Sequence, residues 1–266
     1  MERIGRGVFE VVNPFNRKVK EVPATAADVH TIVFWSKDFG PFLKHDYGKK
    51  LQKDGYHLFF NFTVNSAIPQ LEPRVPPLDV RLDQIRHLGD QFGASAINWR
   101  FDPICFYKTG KDRLYDNLGD LRHIAAKAAA AGIRRCISSF MDPYSKIERR
   151  LVNRSDFSFW DPPLKNKLHN IHKMEQILAS ENIQLMLCCE KEVLDQLPQS
   201  TSVTRASCVP NDVFVTLFGG RLSFKQDSGQ RINKGCGCKI SVDIGDYRQH
   251  PCYHDCLFCY ANPTSK

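Results

Sequence analysis

Tyr56-His57-Leu58-Phe59-Phe60-Asn61-Phe62-Thr63-Val64, then residues 78–92 (LDVRLDQIRHLGDQF), then residues 94–101 (ASAINWRF) decide the fold. The first stretch is a near-continuous apolar run of β-forming residues, the pattern of a strand covered on both faces. The second sets Leu82, Ile85, Leu88 and Phe92 at three- and four-residue steps and meets Gly93, a helix stop. The third returns to a strand pattern. Strand, helix and strand in this order form a parallel unit with a right-handed crossover.

The same alternation extends outward. Strand-like runs occur at residues 31–35 (TIVFW), 133–140 (IRRCISSF), 183–189 (IQLMLCC) and 239–244 (KISVDI). Helical stripes are read over 114–131, ending at Gly132, and over 164–180, opened by Pro162-Pro163. Residues 8–12 (VFEVV), closed by Asn13-Pro14, read as a short ribbon. The expected fold is α/β, with parallel βα units forming a partial, TIM-like barrel. It is read as a single domain over 1–266, within which 198–266 is a loop-rich cysteine segment.

Composition fits a globular chain of 266 residues, 42% hydrophobic and 25% charged. No apolar run approaches the roughly 20 residues of a membrane span, and the N-terminus lacks a signal-peptide core. A cytoplasmic protein without a membrane partner is expected, its ten cysteines kept reduced. Clustered cysteines there read as metal ligands before disulfides. The net charge of +8 admits a nucleic-acid partner, but the basic residues form doublets (Lys49-Lys50, Arg134-Arg135, Arg149-Arg150) rather than a run. A solvated basic surface is the simpler reading.

In parallel α/β sheets, sites gather where strands end. Here those ends carry Ser36, Lys37 and Asp38; Asn61 and Thr63; Arg100 and Asp102; Ser138, Ser139 and Asp142; and Glu190. Taken singly, each reads as an ordinary loop or helix cap. As a set they suggest one site. Arg100 and Asp102 share a strand face and could pair or jointly hold a ligand, because a buried arginine needs an anion.

At the end of the sequence Cys252, Cys256 and Cys259 stand at C-x3-C-x2-C spacing. Three thiolates in one loop suit three corners of a cubane iron–sulfur cluster, leaving the fourth iron open. A zinc site completed by His254 or Cys238 competes with this reading. Cys236 and Cys238, with Cys189 and Cys208, make four further thiols, a candidate second site for a cluster or zinc. Cys105, Cys136 and Cys188 lie in strand-like runs and read as core thiols.

The tail loop, with an aromatic before its last cysteine and Tyr260-Ala261 after it, resembles the radical S-adenosylmethionine signature. More specifically, the chain resembles the domain of unknown function family 1848. The resemblance rests on Asn13-Pro14-Phe15-Asn16, Val33-Phe34-Trp35-Ser36-Lys37, Phe60-Asn61-Phe62-Thr63, Trp99-Arg100-Phe101-Asp102-Pro103-Ile104, Ser139-Phe140-Met141-Asp142, Cys236-Gly237-Cys238 and residues 241–262. It implies a permuted barrel, with the cysteine loop after the last strand instead of the first. Relatives usually begin with a further strand carrying Ser-Arg-Arg-Thr-Asp. No such segment occurs here, so one barrel edge is expected to be open.

The resemblance further implies a [4Fe-4S] cluster on Cys252, Cys256 and Cys259, with S-adenosylmethionine on the open iron. A 5'-deoxyadenosyl radical would abstract hydrogen from an unknown substrate, fed by a donor such as a flavodoxin or ferredoxin. Strand-end placement nominates Lys37, Arg100 and Asp102 as catalytic, and Ser36, Asn61, Thr63, Ser139, Asp142 and Tyr260 as cofactor-binding. The alternatives are a non-catalytic iron–sulfur or zinc protein, perhaps associated with nucleic acid, and an electron carrier.

Overall fold

A computed structural model describes residues 2–12, 17–110, 113–152, 154, 156–245 and 251–259. A short helix, α1 (Glu2–Gly5), leads into an antiparallel ribbon of β1 (Val8–Val12) and β2 (Val19–Pro23). Next come β3 (Thr31–Ser36), α2 (Gly40–Lys44), α3 (Tyr47–Lys53), β4 (His57–Thr63), α4 (Leu78–Phe92) and β5 (Ile97–Ile104). A hairpin of β6 (Phe106–Thr109) and β7 (Arg113–Asp116) precedes α5 (Leu121–Ala130) and β8 (Arg135–Phe140). After α6 (Ser145–Leu151) and β9 (Phe157–Phe159) come α7 (Leu164–Ala179) and β10 (Gln184–Leu187). The remaining named elements are α8 (Lys191–Gln196), β11 (Thr204–Arg205) and α9 (Asn211–Phe218).

Six strands form one parallel sheet in the order β11-β10-β8-β5-β4-β3. Neighbours in space are neighbours in sequence order within this sheet, as right-handed crossovers in one direction produce. The sheet is open, with β3 and β11 at its edges. A smaller antiparallel sheet, β7-β6-β9, sits beyond the end of β5.

Alternation along the strands separates two faces. One face sends Phe60, Phe62, Trp99, Phe101 and Leu185 into a core with Ile85 and Leu88 of α4, Ile124 and Ala128 of α5, and Met174 and Leu178 of α7. The helix α4 stops at Gly93, whose φ of 85° is costly for any residue with a Cβ. The opposite face carries Phe59, Ile137 and Met186 against α9, with the Phe59 and Phe214 rings 4.8 Å apart. That face also carries the buried polar residues Asn61, Asn98 and Arg100.

The βαβ reading of 56–101 agrees with the structure, with β5 running on to Ile104 after a tight turn at Ala94–Ala96. Two expectations need correction. The stripe over 114–131 becomes helical only at Leu121, because residues 113–116 pair with β6 and the Asp116 carboxylate accepts the Leu118 N–H in the following turn. Residues 239–244 form no strand. A single bridge joins Gln226 and Lys239, and residues 240–245 are exposed throughout, without a neighbouring strand among the described residues. Within the cysteine segment lie β11 and α9.

A carboxylate ties α7 to the loop before β11. Glu175 Oε1 accepts from Thr201 Oγ1 at 2.9 Å, Ser202 N at 2.7 Å and Ser202 Oγ at 2.8 Å. Burial raises the Glu175 pKa, but these donors outweigh it and hold it below the ordinary value. A depressed folded pKa gives stability that is present above the unfolded value and lost as pH falls through the folded one. Glu175→Gln is therefore expected to lose about 1–2 kcal/mol near neutral pH. The gap should close below about pH 4, as urea unfolding at the two pH values would read directly. Among the described residues, no helix is long and apolar enough to cross a membrane.

Candidate metal centre at the carboxyl rim

Lys37 follows β3, Glu72 lies in the long connection from β4 to α4, and Cys105 follows β5. The tail cysteine loop docks on this rim. Leu257 N–H donates to Leu71 O at 2.8 Å, and Arg74 N–H donates to His254 O at 3.2 Å. Cys256, Leu257 and Phe258 are buried with Leu71, Cys105, Tyr107 and Phe157. Arg150 of α6 holds the loop from beneath. Its Nη1 donates to Cys256 O at 3.3 Å and Leu257 O at 3.1 Å, and its Nη2 donates to Cys259 O. One guanidinium thus fixes three carbonyls of a loop that has no regular structure of its own.

Cys256 is buried, whereas Cys252 and Cys259 are half-buried. Burial pushes the Cys256 thiol up to about 12, with Lys37 pulling the other way and Glu72, Cys259 and Cys252 adding to the rise. Cys252 and Cys259 therefore each lie within electrostatic reach of Cys256. Lys37 Nζ sits 5.3 Å from the Phe258 ring centre.

Behind the loop runs a buried ionic network. Lys37 Nζ donates to Glu72 Oε1 at 2.6 Å, and Asn65 Nδ2 donates to the same oxygen at 3.0 Å. Glu72 Oε2 lies 3.9 Å from Arg81 Nη1 and, among the described residues, accepts no hydrogen bond. Burial lowers the Lys37 pKa, but Glu72 above all, then Cys256, lift it above the ordinary lysine value. Asn65 continues the network, donating to Asp102 O at 3.2 Å and accepting the Asp102 N–H at 2.8 Å. Arg100 and Asp102 form a direct ion pair, and Ser139 Oγ donates to Asp102 Oδ1 at 2.6 Å. Burial opposes ionisation of Asp102, but Arg100 outweighs it and holds the carboxyl below its usual range. Arg100 Nη1 then reaches Cys208 Sγ at 2.6 Å.

Of the nominated residues, Lys37, Arg100, Asp102 and Ser139 belong to this one network. Thr63 is buried beside Arg100 across the β4–β5 ladder. Asn61 faces the sheet interior, donating to Cys208 O at 2.9 Å and accepting from Asn98 at 3.1 Å. Ser36 closes a turn, donating to Asp38 O at 2.7 Å. Asp142 stands at the surface, paired with Arg231 and 3.9 Å from Lys234. Tyr260 lies outside the described residues, as do Asn13, Pro14, Phe15, Asn16, Ala261 and Asn262.

The second thiol group also assembles. Cys188 Sγ is 3.7 Å from Cys189 Sγ and 3.8 Å from Cys208 Sγ, and Cys208 N–H donates to Cys238 Sγ at 3.2 Å. Cys208 and Cys238, Cys238 and Cys236, and Cys236 and Cys189 perturb one another's acidity in turn, so the five thiols make a ring of electrostatic neighbours. Cys188 was expected to be a core thiol, and it is buried. It joins the ring because Cys189 adopts a left-handed φ of 61°, which ends the strand alternation and turns the next sulfur back toward it. Among the described residues, no three His, Cys, Asp or Glu side chains are yet arranged around a common point as metal ligands.

Glu72, Arg81, Asn65 and Arg150 escaped the sequence reading. Glu72, Arg81 and Arg150 lie away from strand ends in sequence, Asn65 falls two residues past β4, and the visible signal was the length of the connection carrying Asn65 and Glu72. The profile of the family described as Domain of unknown function (DUF1848) matches residues 1–261. The chain belongs to this family. No curated protein matches it. Among members of DUF1848 the tail cysteine loop of this chain would then be a shared feature to test, and its rim docking gives that test a physical frame.

Proposed function

We propose that this DUF1848 chain is a radical S-adenosylmethionine-type enzyme. Its open sheet would act as a partial barrel, and Cys252, Cys256 and Cys259 would hold a [4Fe-4S] cluster over the carboxyl rim. One observation carries the reading: the tail thiols dock beside the buried Lys37–Glu72–Arg81 and Arg100–Asp102 charges, where parallel α/β sheets place their sites.

The residues present suit such a group. Three thiols from one loop leave one metal position without a protein ligand. Lys37, Arg81 and Arg150 supply positive charge around Cys256, each influenced by it electrostatically. Among the described residues Glu72 Oε2 is a buried acceptor without a donor, the complement of an ammonium or hydroxyl group on a bound molecule. When bound, the cluster would supply the electron that cleaves the sulfonium of S-adenosylmethionine. Lys37 would hold the Glu72 carboxylate ionised and oriented, and Arg150 would hold the loop backbone still. Leu71, Tyr107, Phe157, Leu257 and Phe258 would keep water from the thiols. Arg100 and Asp102 would set the polar wall facing Lys37.

Anaerobic reconstitution tests the reading. The protein is expected to take up about four irons with matching sulfide, and then to form 5'-deoxyadenosine from S-adenosylmethionine and a reductant. Cys256→Ala should lose the iron and the product together. A reconstituted, brown protein that forms no 5'-deoxyadenosine would overturn the enzyme assignment; a colourless protein carrying zinc on these three cysteines would overturn the cluster.

A further inference from the structure

We propose that the five-thiol ring is a second metal centre, independent of the tail loop, which holds one soft divalent ion such as zinc in tetrahedral thiolate coordination. Cys208, Cys236 and Cys238 are assigned as three ligands, and the adjacent pair Cys188 and Cys189 supplies the fourth.

Distance is the first argument. Four thiolates around one ion with metal–sulfur bonds of about 2.3 Å stand about 3.8 Å apart along each tetrahedral edge. The one measured pair that would form such an edge, Cys188 Sγ with Cys208 Sγ, is 3.8 Å apart, and the Cys208 N–H reaches Cys238 Sγ at 3.2 Å. A cubane spreads its thiolates over four separate irons and needs them farther apart, so the spacing favours a single ion. The fourth position can be filled from either side: Cys188 Sγ stands 3.8 Å from Cys208 Sγ, and Cys189 lies within electrostatic reach of Cys236.

Convergence is the second. Three separate segments bring these sulfurs together: the end of β10, the turn after β11, and the Cys236-Gly237-Cys238 loop. The loop is pressed against the chain at Ala206 so closely that a Cβ on Gly237 would lie 2.5 Å from Ala206 O. Only glycine allows that approach. The ring occupies the core on the α9 side of the sheet, with Phe59, Ile137, Ala206 and Phe214. The tail thiol Cys256 belongs to a different buried group.

Charge is the third. A divalent ion with four thiolates carries a net charge of about −2. Arg100 donates to Cys208 Sγ at 2.6 Å, and Arg231 acts electrostatically on Cys189. Arg100 is itself oriented by Asp102, the kind of outer partner that fixes a metal ligand. Loading breaks the thiol S–H bonds, forms four metal–sulfur bonds and releases the protons to solvent. No oxidant or reductant takes part.

The test uses the full chain carrying C252A/C256A/C259A, which removes the tail thiols and makes the outcome independent of the proposed enzyme activity. Anaerobic cobalt(II) titration is expected to saturate at one ion per chain, with thiolate-to-cobalt charge transfer and the visible bands of a tetrahedral site. Zinc should displace the cobalt and bleach the spectrum. Adding C236A/C238A should remove the bound equivalent. Cys188→Ala and Cys189→Ala should each retain it, and the pair together should lose it. No bound cobalt, a six-coordinate spectrum, or a brown iron–sulfide product in the tail variant would each overturn the proposal. Should C236A/C238A fail to fold, the tail-variant titration decides by stoichiometry and spectrum alone.

Discussion

Arg100→Met is expected to cost about 3–5 kcal/mol of unfolding free energy, among the largest effects of any single polar replacement in the chain. The substitution keeps length and apolar stem but deletes the charge. Asp102 would remain in the interior with its Arg100 partner gone, retaining Ser139 as a side-chain donor. Cys208 would lose its charged donor at the same step. Both members of the pair are mostly buried, with side-chain exposures of 10% and 17%, so solvent screening does little to soften the loss. Removing both charges together should behave differently. Arg100→Met with Asp102→Asn leaves no uncompensated ion and is expected to recover more than half of the deficit. A double-mutant cycle in urea measures this. Equal losses for the single and double variants would mean that the pair is not an energetic unit.

The parallel sheet was legible because its strands are buried on both faces and its helices on one. Phe59 and Phe60 face opposite cores, so β4 reads as a near-continuous apolar run, interrupted by the buried Asn61. In α4 the Leu82, Ile85 and Leu88 stripe and the stop at Gly93 were equally local. Where pairing depends on a distant partner, local pattern misleads. Residues 239–244 alternate like a strand but find no neighbouring strand, and residues 113–116 look like a helix start but pair with β6. The site divides in the same way. The tail thiols are visible by spacing within eight residues. Four of the second group, Cys189, Cys208, Cys236 and Cys238, could be nominated together from the sequence, but Cys188 enters only through the backbone turn at Cys189. Arg150 appears in the sequence as half of a basic doublet. Its contact with three tail carbonyls exists only after the chain has closed on itself.

Lys37→Met is expected to destabilise the fold by a comparable amount, about 3–5 kcal/mol, and to do so at the rim rather than within the sheet. Lys37 supplies the 2.6 Å hydrogen bond to Glu72, whose exposure as a side chain is 4%. Without it, Asn65 alone donates to Oε1, Arg81 stands 3.9 Å from Oε2, and Oε2 is already without a donor. The carboxylate then carries a buried charge with too few partners. The sign of the pH dependence follows from Lys37. Its folded pKa is raised, so its contribution is complete below the ordinary lysine value and fades only as pH rises through the folded one. The deficit of Lys37→Met should therefore stay flat from about pH 6 to about pH 9, in contrast to that of Glu175→Gln. Adding Glu72→Gln removes the orphaned charge and should return most of the stability, while leaving the rim without its ion pair. That double variant separates two roles. If Lys37 and Glu72 only support the fold, iron uptake and 5'-deoxyadenosine formation should recover together with stability. If the pair also meets a bound molecule, the recovered fold should load iron normally and still turn over at least about tenfold more slowly, the loss expected for one missing buried hydrogen bond to a charged group.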